Sequence, residues 1–215
     1  MTCAHSAGPA GKQFPWLTVS LLGASALLLW VAPLSGATTT QGPGLTFWQL
    51  VLSQDGSLEA WRWLSAHLLH TDASHLLLNA AALLILGAAI ESSAGGRRRL
   101  LRGLATGAAA VTLWFYLLAD VRYYCGLSGV LNGCFMLALN EVDAAATARG
   151  QPERWLRPFL VLIALGAFAK ASYELVQGTP LLIDQQWPTA PGAHLAGLLA
   201  GTLLVIAERT GLTGR

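Results

Sequence analysis

Three clusters of polar residues carry side chains suited to acyl transfer. The first is Gly126-Leu127-Ser128-Gly129. A serine flanked by glycines sits on backbone that turns tightly and lets a substrate come close. If Ser128 opens a helix, the unpaired N–H groups of the first turn are available to an oxyanion. Taken alone, Gly-x-Ser-Gly is a weak motif, and a helix-capping serine is the bland alternative. The second cluster is Gly192-Ala193-His194. An imidazole suits the base that a serine hydroxyl needs, although a lone histidine in an apolar helix is often a packing residue. The third runs His70-Thr71-Asp72-Ala73-Ser74-His75-Leu76-Leu77-Leu78-Asn79. Asp72 fits a helix cap. His75 and Asn79 then lie four apart on one helix face, both able to donate hydrogen bonds to an oxyanion. A metal centre is the competing use of His70, His75 and Asn79. The histidine spacing suits a helical site poorly, HExxH is absent, and asparagine is an unusual zinc ligand. No metal and no cofactor are expected.

The elements that must position these residues are apolar helices. The 215 residues are 54% hydrophobic and only 11% charged, where a soluble domain carries about a quarter charged residues. Mean hydropathy is +0.52. A net charge of +2 gives no argument for a nucleic-acid partner. Six stretches approach the ~20 apolar residues that cross a bilayer: 16–34, 73–90, 100–119, 128–144, 156–176 and 191–207. The fourth is the shortest and least apolar. With the N-terminus in the cytoplasm, Lys12, Arg97, Arg98, Arg99, Arg102, Arg149, Arg154, Arg157, Arg209 and Arg215 fall inside. Only Arg62, Arg122 and Lys170 fall outside, so the positive-inside rule places both termini in the cytoplasm. The first stretch also has features of a signal peptide. It is long for one, and its removal would leave five spans, so a retained helix is expected. The expected domains are a cytoplasmic segment 1–13, a six-helix domain 14–208 and a tail 209–215.

Trp48, Trp61 and Trp63 in the long segment 35–72, with Tyr123, Tyr124 and Trp187, predict an aromatic belt at the outer face. Cys3, Cys125 and Cys134 make no even disulfide set and read as small apolar filler. Gly129 and Gly133 are four apart, as are Gly197 and Gly201. Each pair makes a GxxxG face that lets helices approach closely in lipid. Packing the fourth stretch on the sixth through these faces sets Ser128 and His194 at similar depth, near the outer ends of their helices.

Together these clusters resemble the rhomboid intramembrane proteases. The resemblance rests on Trp61-Arg62, His70, His75, Asn79, Glu91, Gly126-Leu127-Ser128-Gly129, and His194 with Gly197 and Gly201, in order and spacing over the whole six-helix region. It implies an all-α, six-transmembrane-helix bundle and a Ser–His dyad, with Ser128 as nucleophile and His194 as base. It implies an oxyanion hole from His75, Asn79 and the Ser128 N–H, and structural roles for Trp61-Arg62 and Glu91. Within the family the short chain looks like the rhombosortase branch. So do the His-Thr-Asp…His-Leu-Leu-Leu-Asn and Gly-Leu-Ser-Gly-Val-Leu stretches. That branch implies membrane-anchored protein substrates cut at a C-terminal Gly-Gly, transmembrane helix and basic tail, in a bacterial inner membrane. One departure concerns the histidine. Many rhomboids place a tyrosine one turn after the serine, stacked on the catalytic imidazole. Here that position is Asn132, suited to a hydrogen bond with the imidazole or a water, or to a polar interhelical contact.

Three rival functions use the same residues. A Ser–Lys protease would take Lys170 as base, but Lys170 and Glu174 are four apart and read as an ion pair. A rhomboid-like binder of client transmembrane helices would not need both Ser128 and His194. A transporter site would sit at the midplane, whereas the polar residues cluster toward one end. Asp184, the acidic residue of the last outer loop, reads as solvated.

Overall fold

The computed structural model describes residues 14–34, 50–51, 60–70, 73–119, 123–150, 154–178, 181 and 190–212. Among them are seven helices: α1 (Trp16–Leu34), α2 (Arg62–Leu68), α3 (Ala73–Glu91), α4 (Gly96–Leu118), α5 (Ser128–Ala148), α6 (Leu156–Gln177) and α7 (Pro191–Arg209). Two short strands, β1 (Leu50–Val51) and β2 (Tyr123–Tyr124), pair antiparallel, Leu50 opposite Tyr124. Asp72, Trp48, Asp184, Trp187, Arg122, Cys3, Lys12 and Arg215 lie outside the described residues, as do segments 1–13 and 213–215.

The long helices coincide with the six apolar stretches, with two informative differences. α4 begins at Gly96 rather than near Leu100, because Gly95 at φ 74° turns the chain tightly after α3. The arginine run therefore enters the first turn of α4 and points Arg99 inward. α5 continues to Ala148, past Asn140, Glu141 and Asp143, whose side chains find partners described below. Pro191 stands at the start of α7, where its missing N–H costs nothing. Gly178 at φ 69° ends α6. Four of the described helices, α3, α4, α6 and α7, are long and apolar enough to cross a membrane. α1 contributes a shorter apolar stretch at Trp16–Leu27, and polar residues dilute α5.

The distribution of polarity is inverted relative to a water-soluble bundle. Leu77, Ile85, Leu113, Leu117, Phe159, Leu162, Leu165 and Leu203 face outward, while His75, Asn79, Glu91, Arg99, Glu141, Glu174 and Glu208 are buried. Apolar surroundings make that arrangement favourable, because charges pair inside and hydrocarbon meets hydrocarbon outside. α5 and α7 pack at the centre. A Cβ on Gly133 would stand 3.1 Å from the Gly197 carbonyl oxygen. Cβ atoms on Gly197 and Gly201 would collide with the Gly129 and Gly133 carbonyls. The two GxxxG faces thus meet backbone to backbone. α6 is peripheral, with only Ala171 and Glu174 buried.

Candidate active site

Both reactive candidates are set by helix starts. Gly126 takes φ 122°, a conformation that excludes ordinary side chains, and the chain turns there into α5. Ser128 is the first residue of that helix, with Leu127 at the cap, so the capping role for the serine is not the one it takes. His194 lies in the first turn of α7. Because the glycine faces bring the two helices into backbone contact, Ser128 Oγ and His194 Nε2 stand 2.9 Å apart. That is a hydrogen bond in which the hydroxyl donates if Nε2 is unprotonated.

The third cluster packs beside them. His75 is buried, and its ring lies against Gly126: a Cβ there would sit 2.9 Å from Cε1 and 3.0 Å from Nε2. Asn79 is buried one turn along α3, and its Nδ2 has no hydrogen-bond partner among the described residues. A buried donor without a partner is costly, and such a cost is tolerated where a ligand completes the bond. His70 is buried, donates from Nδ1 to the Leu68 carbonyl at 3.0 Å, and stacks edge-on to His75 with centroids 4.9 Å apart. No three His, Cys, Asp or Glu side chains among the described residues converge as metal ligands would.

Asn132 Nδ2 donates to the Ser128 carbonyl of its own helix at 2.9 Å, and among the described residues no hydrogen bond joins it to the imidazole or to another helix. Tyr124 corrects an expectation. It is buried rather than part of an interfacial belt, and its hydroxyl donates to the Gly126 carbonyl at 3.0 Å. Burial pushes its phenol pKa upward, the neighbouring Cys125 adding to the shift. Trp61 and Trp63 are part-exposed as a belt requires.

The supporting residues tie elements together. The Arg62 guanidinium lies 4.6 Å from the Trp61 ring centroid. Glu91 is wholly buried and accepts from Leu17 N–H at 3.2 Å, Thr18 N–H at 2.8 Å and the Thr18 hydroxyl at 2.5 Å, joining α3 to α1. Arg97 approaches the same carboxylate at 3.7 Å. Lys170 and Glu174 form the expected ion pair at 2.7 Å, and the Glu174 carboxylate also accepts the Leu181 N–H at 2.8 Å. Cys134 is buried in the core and Cys125 is half-buried.

Two features were not anticipated. His67 is buried, with Nε2 3.3 Å from Thr112 Oγ1. Desolvation pushes its pKa down to about 4, partly offset by the Ala108 and Gly126 carbonyls. Its place on α2, a helix inside what reads as a loop, hid it. The second is an ionic knot at the opposite end of the bundle. Arg99 of α4 pairs with Glu141 of α5 and with Glu208 of α7 at 3.1 Å, all three buried. Counted only as an inside arginine, Arg99 gave no sign of turning inward; the one available signal was the pair of acidic residues near the ends of α5 and α7.

Apolar helices with a half-buried Ser–His pair at one end define a class of helical membrane protein. The Rhomboid domain family model matches residues 57–210. The chain belongs to the rhomboid family, and with its apolar helices it is an integral, multi-pass membrane protein. It is 26% identical over 157 residues to the rhomboid protease GlpG of Pectobacterium atrosepticum, over 73% of this chain and 51% of that protein. The chain thus spans about half the length of the curated relative it matches.

Proposed function

We propose that this chain is an intramembrane serine endopeptidase that cuts membrane-anchored proteins at or near the outer membrane face. The observation that carries the proposal is the 2.9 Å contact between Ser128 Oγ and His194 Nε2. The six long helices are taken as six spans of a bacterial inner membrane, with both termini cytoplasmic and 14–208 as the protease domain. The preferred substrate would carry a C-terminal Gly-Gly, transmembrane helix and basic tail; the rhombosortase-like stretches around His75 and Ser128 support that choice.

In the first half-reaction His194 Nε2 removes the Ser128 proton as Oγ bonds to the scissile carbonyl carbon. The carbonyl oxygen becomes an oxyanion, held by the Ser128 N–H, His75 and Asn79 Nδ2. The imidazolium returns its proton to the leaving amine as the C–N bond breaks, leaving an acyl-enzyme. In the second half a water gives its proton to His194 and attacks the ester. The tetrahedral adduct collapses, Ser128 regains its proton and the product leaves as a carboxylate. No carboxylate is hydrogen-bonded to the imidazole among the described residues, so orientation falls to packing in the α5–α7 interface.

Cleavage in membranes tests this. A substrate ending in Gly-Gly, a transmembrane helix and a basic tail is co-expressed with wild type, Ser128→Ala or His194→Ala at matched levels. Cutting by wild type alone is expected, with mass spectrometry giving the new terminus. Undiminished cutting by both variants would sink the mechanism. Client capture without cutting by all three would favour the helix-binding alternative.

A further inference from the structure

Gly126 stands two residues before Ser128 and takes φ 122°. Glycine has more backbone freedom than any other residue. At that place it leaves the start of α5 free to turn unless other groups hold it. Two groups do. Its N–H donates to the Ala66 carbonyl of α2 at 2.9 Å. Its carbonyl accepts the Tyr124 hydroxyl at 3.0 Å. Each of the two peptide planes that meet at Gly126 is therefore tied by a hydrogen bond, one to α2 and one to Tyr124.

The tyrosine is itself held in place. It is buried among Ala66, Val111, Phe115 and Ala193. Trp114 stands edge-on to it, with ring centroids 6.3 Å apart, and Tyr124 pairs with Leu50 across the two short strands. A phenylalanine would fill the same space, so packing does not require the hydroxyl. A buried hydroxyl costs free energy unless it is bonded. Here it serves both sides of the turn. Beyond the Gly126 carbonyl it meets Gly129, where a Cβ would stand 3.1 Å from the phenol oxygen and whose N–H is a hydrogen-bond partner of that oxygen. One oxygen thus spans Gly126 and Gly129, with Ser128 between them. Gly126 also bears on His75, since a Cβ there would stand 2.9 Å from the ring. A rotation of the 126–127 peptide would move the nucleophile and disturb the His75 contact together.

We infer that Tyr124 is a positioning residue for the proposed reaction. Its hydroxyl fixes the turn from Gly126 to Gly129, so that Ser128 Oγ meets His194 Nε2 while the Ser128 N–H and His75 converge on one oxyanion. This role rests on the proteolytic reading, and Tyr124 exerts it through the backbone without touching substrate.

The test follows the reaction of Ser128 with a fluorophosphonate, which needs no protein substrate. In that reaction Oγ bonds to phosphorus, fluoride leaves, and the serine proton passes to His194. The full chain is labelled in detergent micelles at several probe concentrations. The time courses separate the maximal rate from the half-saturating concentration, and the final labelled fraction counts folded sites. Tyr124→Phe should lower the maximal rate by about 10–10²-fold, the scale of a misplaced reacting group. The half-saturating concentration and the final labelled fraction should stay near wild type. para-Aminophenylalanine at position 124 can again donate to the Gly126 carbonyl and should restore most of the rate. Phe115→Leu thins the same cluster without touching the hydroxyl. It should lower thermal stability and leave the maximal rate near wild type. If Tyr124→Phe fails to insert, para-fluorophenylalanine at position 124 fills the hydroxyl's volume without a donor and should show the same loss of rate. An unchanged maximal rate without the hydroxyl, or an equal loss in Phe115→Leu, would make Tyr124 a packing residue and overturn the inference while leaving Ser128 reactive. Wild type that labels no more than Ser128→Ala would instead overturn the proteolytic reading, and the positioning role with it.

Discussion

Ser128 and His194 are 66 positions apart in the chain and one hydrogen bond apart in space. Around them each polar residue has a distinguishable share of the proposed chemistry. Asn79 carries the sharpest prediction, because its Nδ2 is buried without a partner among the described residues. Asn79→Ala should lower kcat by about 10²–10³-fold, the usual loss for one oxyanion donor, while thermal stability stays near wild type. Near-normal turnover would remove Asn79 from the mechanism. Among the described residues Asn132 bonds within its own helix, so Asn132→Ala should alter turnover far less, in the same assay. His67 is a matter of stability. Its folded-state pKa of about 4 lies below the ordinary 6.5. Between those values the unfolded chain binds a proton that the folded protein does not. Stability should therefore fall as pH drops from about 6.5 toward 4, with no contribution from this group above that window. Thermal unfolding in detergent across the range, compared with His67→Phe, would show the acid slope flattening in the variant; an unchanged slope would assign it to other groups.

At the scale of elements, the site depends on how closely α5 and α7 approach. Gly201→Val would place branched carbon against the backbone of Gly133, where even a Cβ lies 2.8 Å from Cα. The helices must part, so both thermal stability and Ser128 reactivity toward a serine-directed probe should fall sharply. Gly166→Val on α6 is the matched control, since nothing lies within 4 Å of a Cβ there. It should stay close to wild type in both measurements. α6 is held differently, by few buried residues and by Glu174, which ties Lys170 and the Leu181 N–H to its end. Full activity in Lys170→Ala would dispose of the Ser–Lys alternative even if the variant were less stable.

For the whole molecule, both ends of the bundle carry buried polarity, differently arranged. One end holds the hydrogen-bonding groups around Ser128, with the Lys170–Glu174 pair at the end of α6. The other holds the Arg99–Glu141–Glu208 knot and the Asp143 pairs with Arg157 and Arg209. Removing Arg99 alone would leave two buried carboxylates without their cation. Arg99→Met should therefore cost about 3–5 kcal/mol, whereas a triple change of Arg99, Glu141 and Glu208 to apolar residues of similar volume should recover most of it. Unfolding in detergent would measure both. Equal losses in the two variants would mean that the knot contributes net stability of its own.

The sequence by itself determined the helical membrane class and the places of the long helices, and it singled out the residues of the candidate site. Runs of apolar residues about as long as a bilayer is thick have few other uses, and glycine spacing announces a close helix face. Its limits lay where a residue's fate depends on a distant partner. Arg99 looks like a cytoplasmic arginine until Glu141 and Glu208 arrive from other helices. Tyr124 looks interfacial until α2 and α4 cover it, and α2 is too short to show a period. Asn132 had several polar partners open to it, and helix geometry chose the nearest, its own backbone carbonyl. The Ser128–His194 distance likewise belongs to tertiary structure alone. Four-residue glycine spacing permits close packing, but only the assembled bundle fixes which helices meet, at what depth and in which rotation.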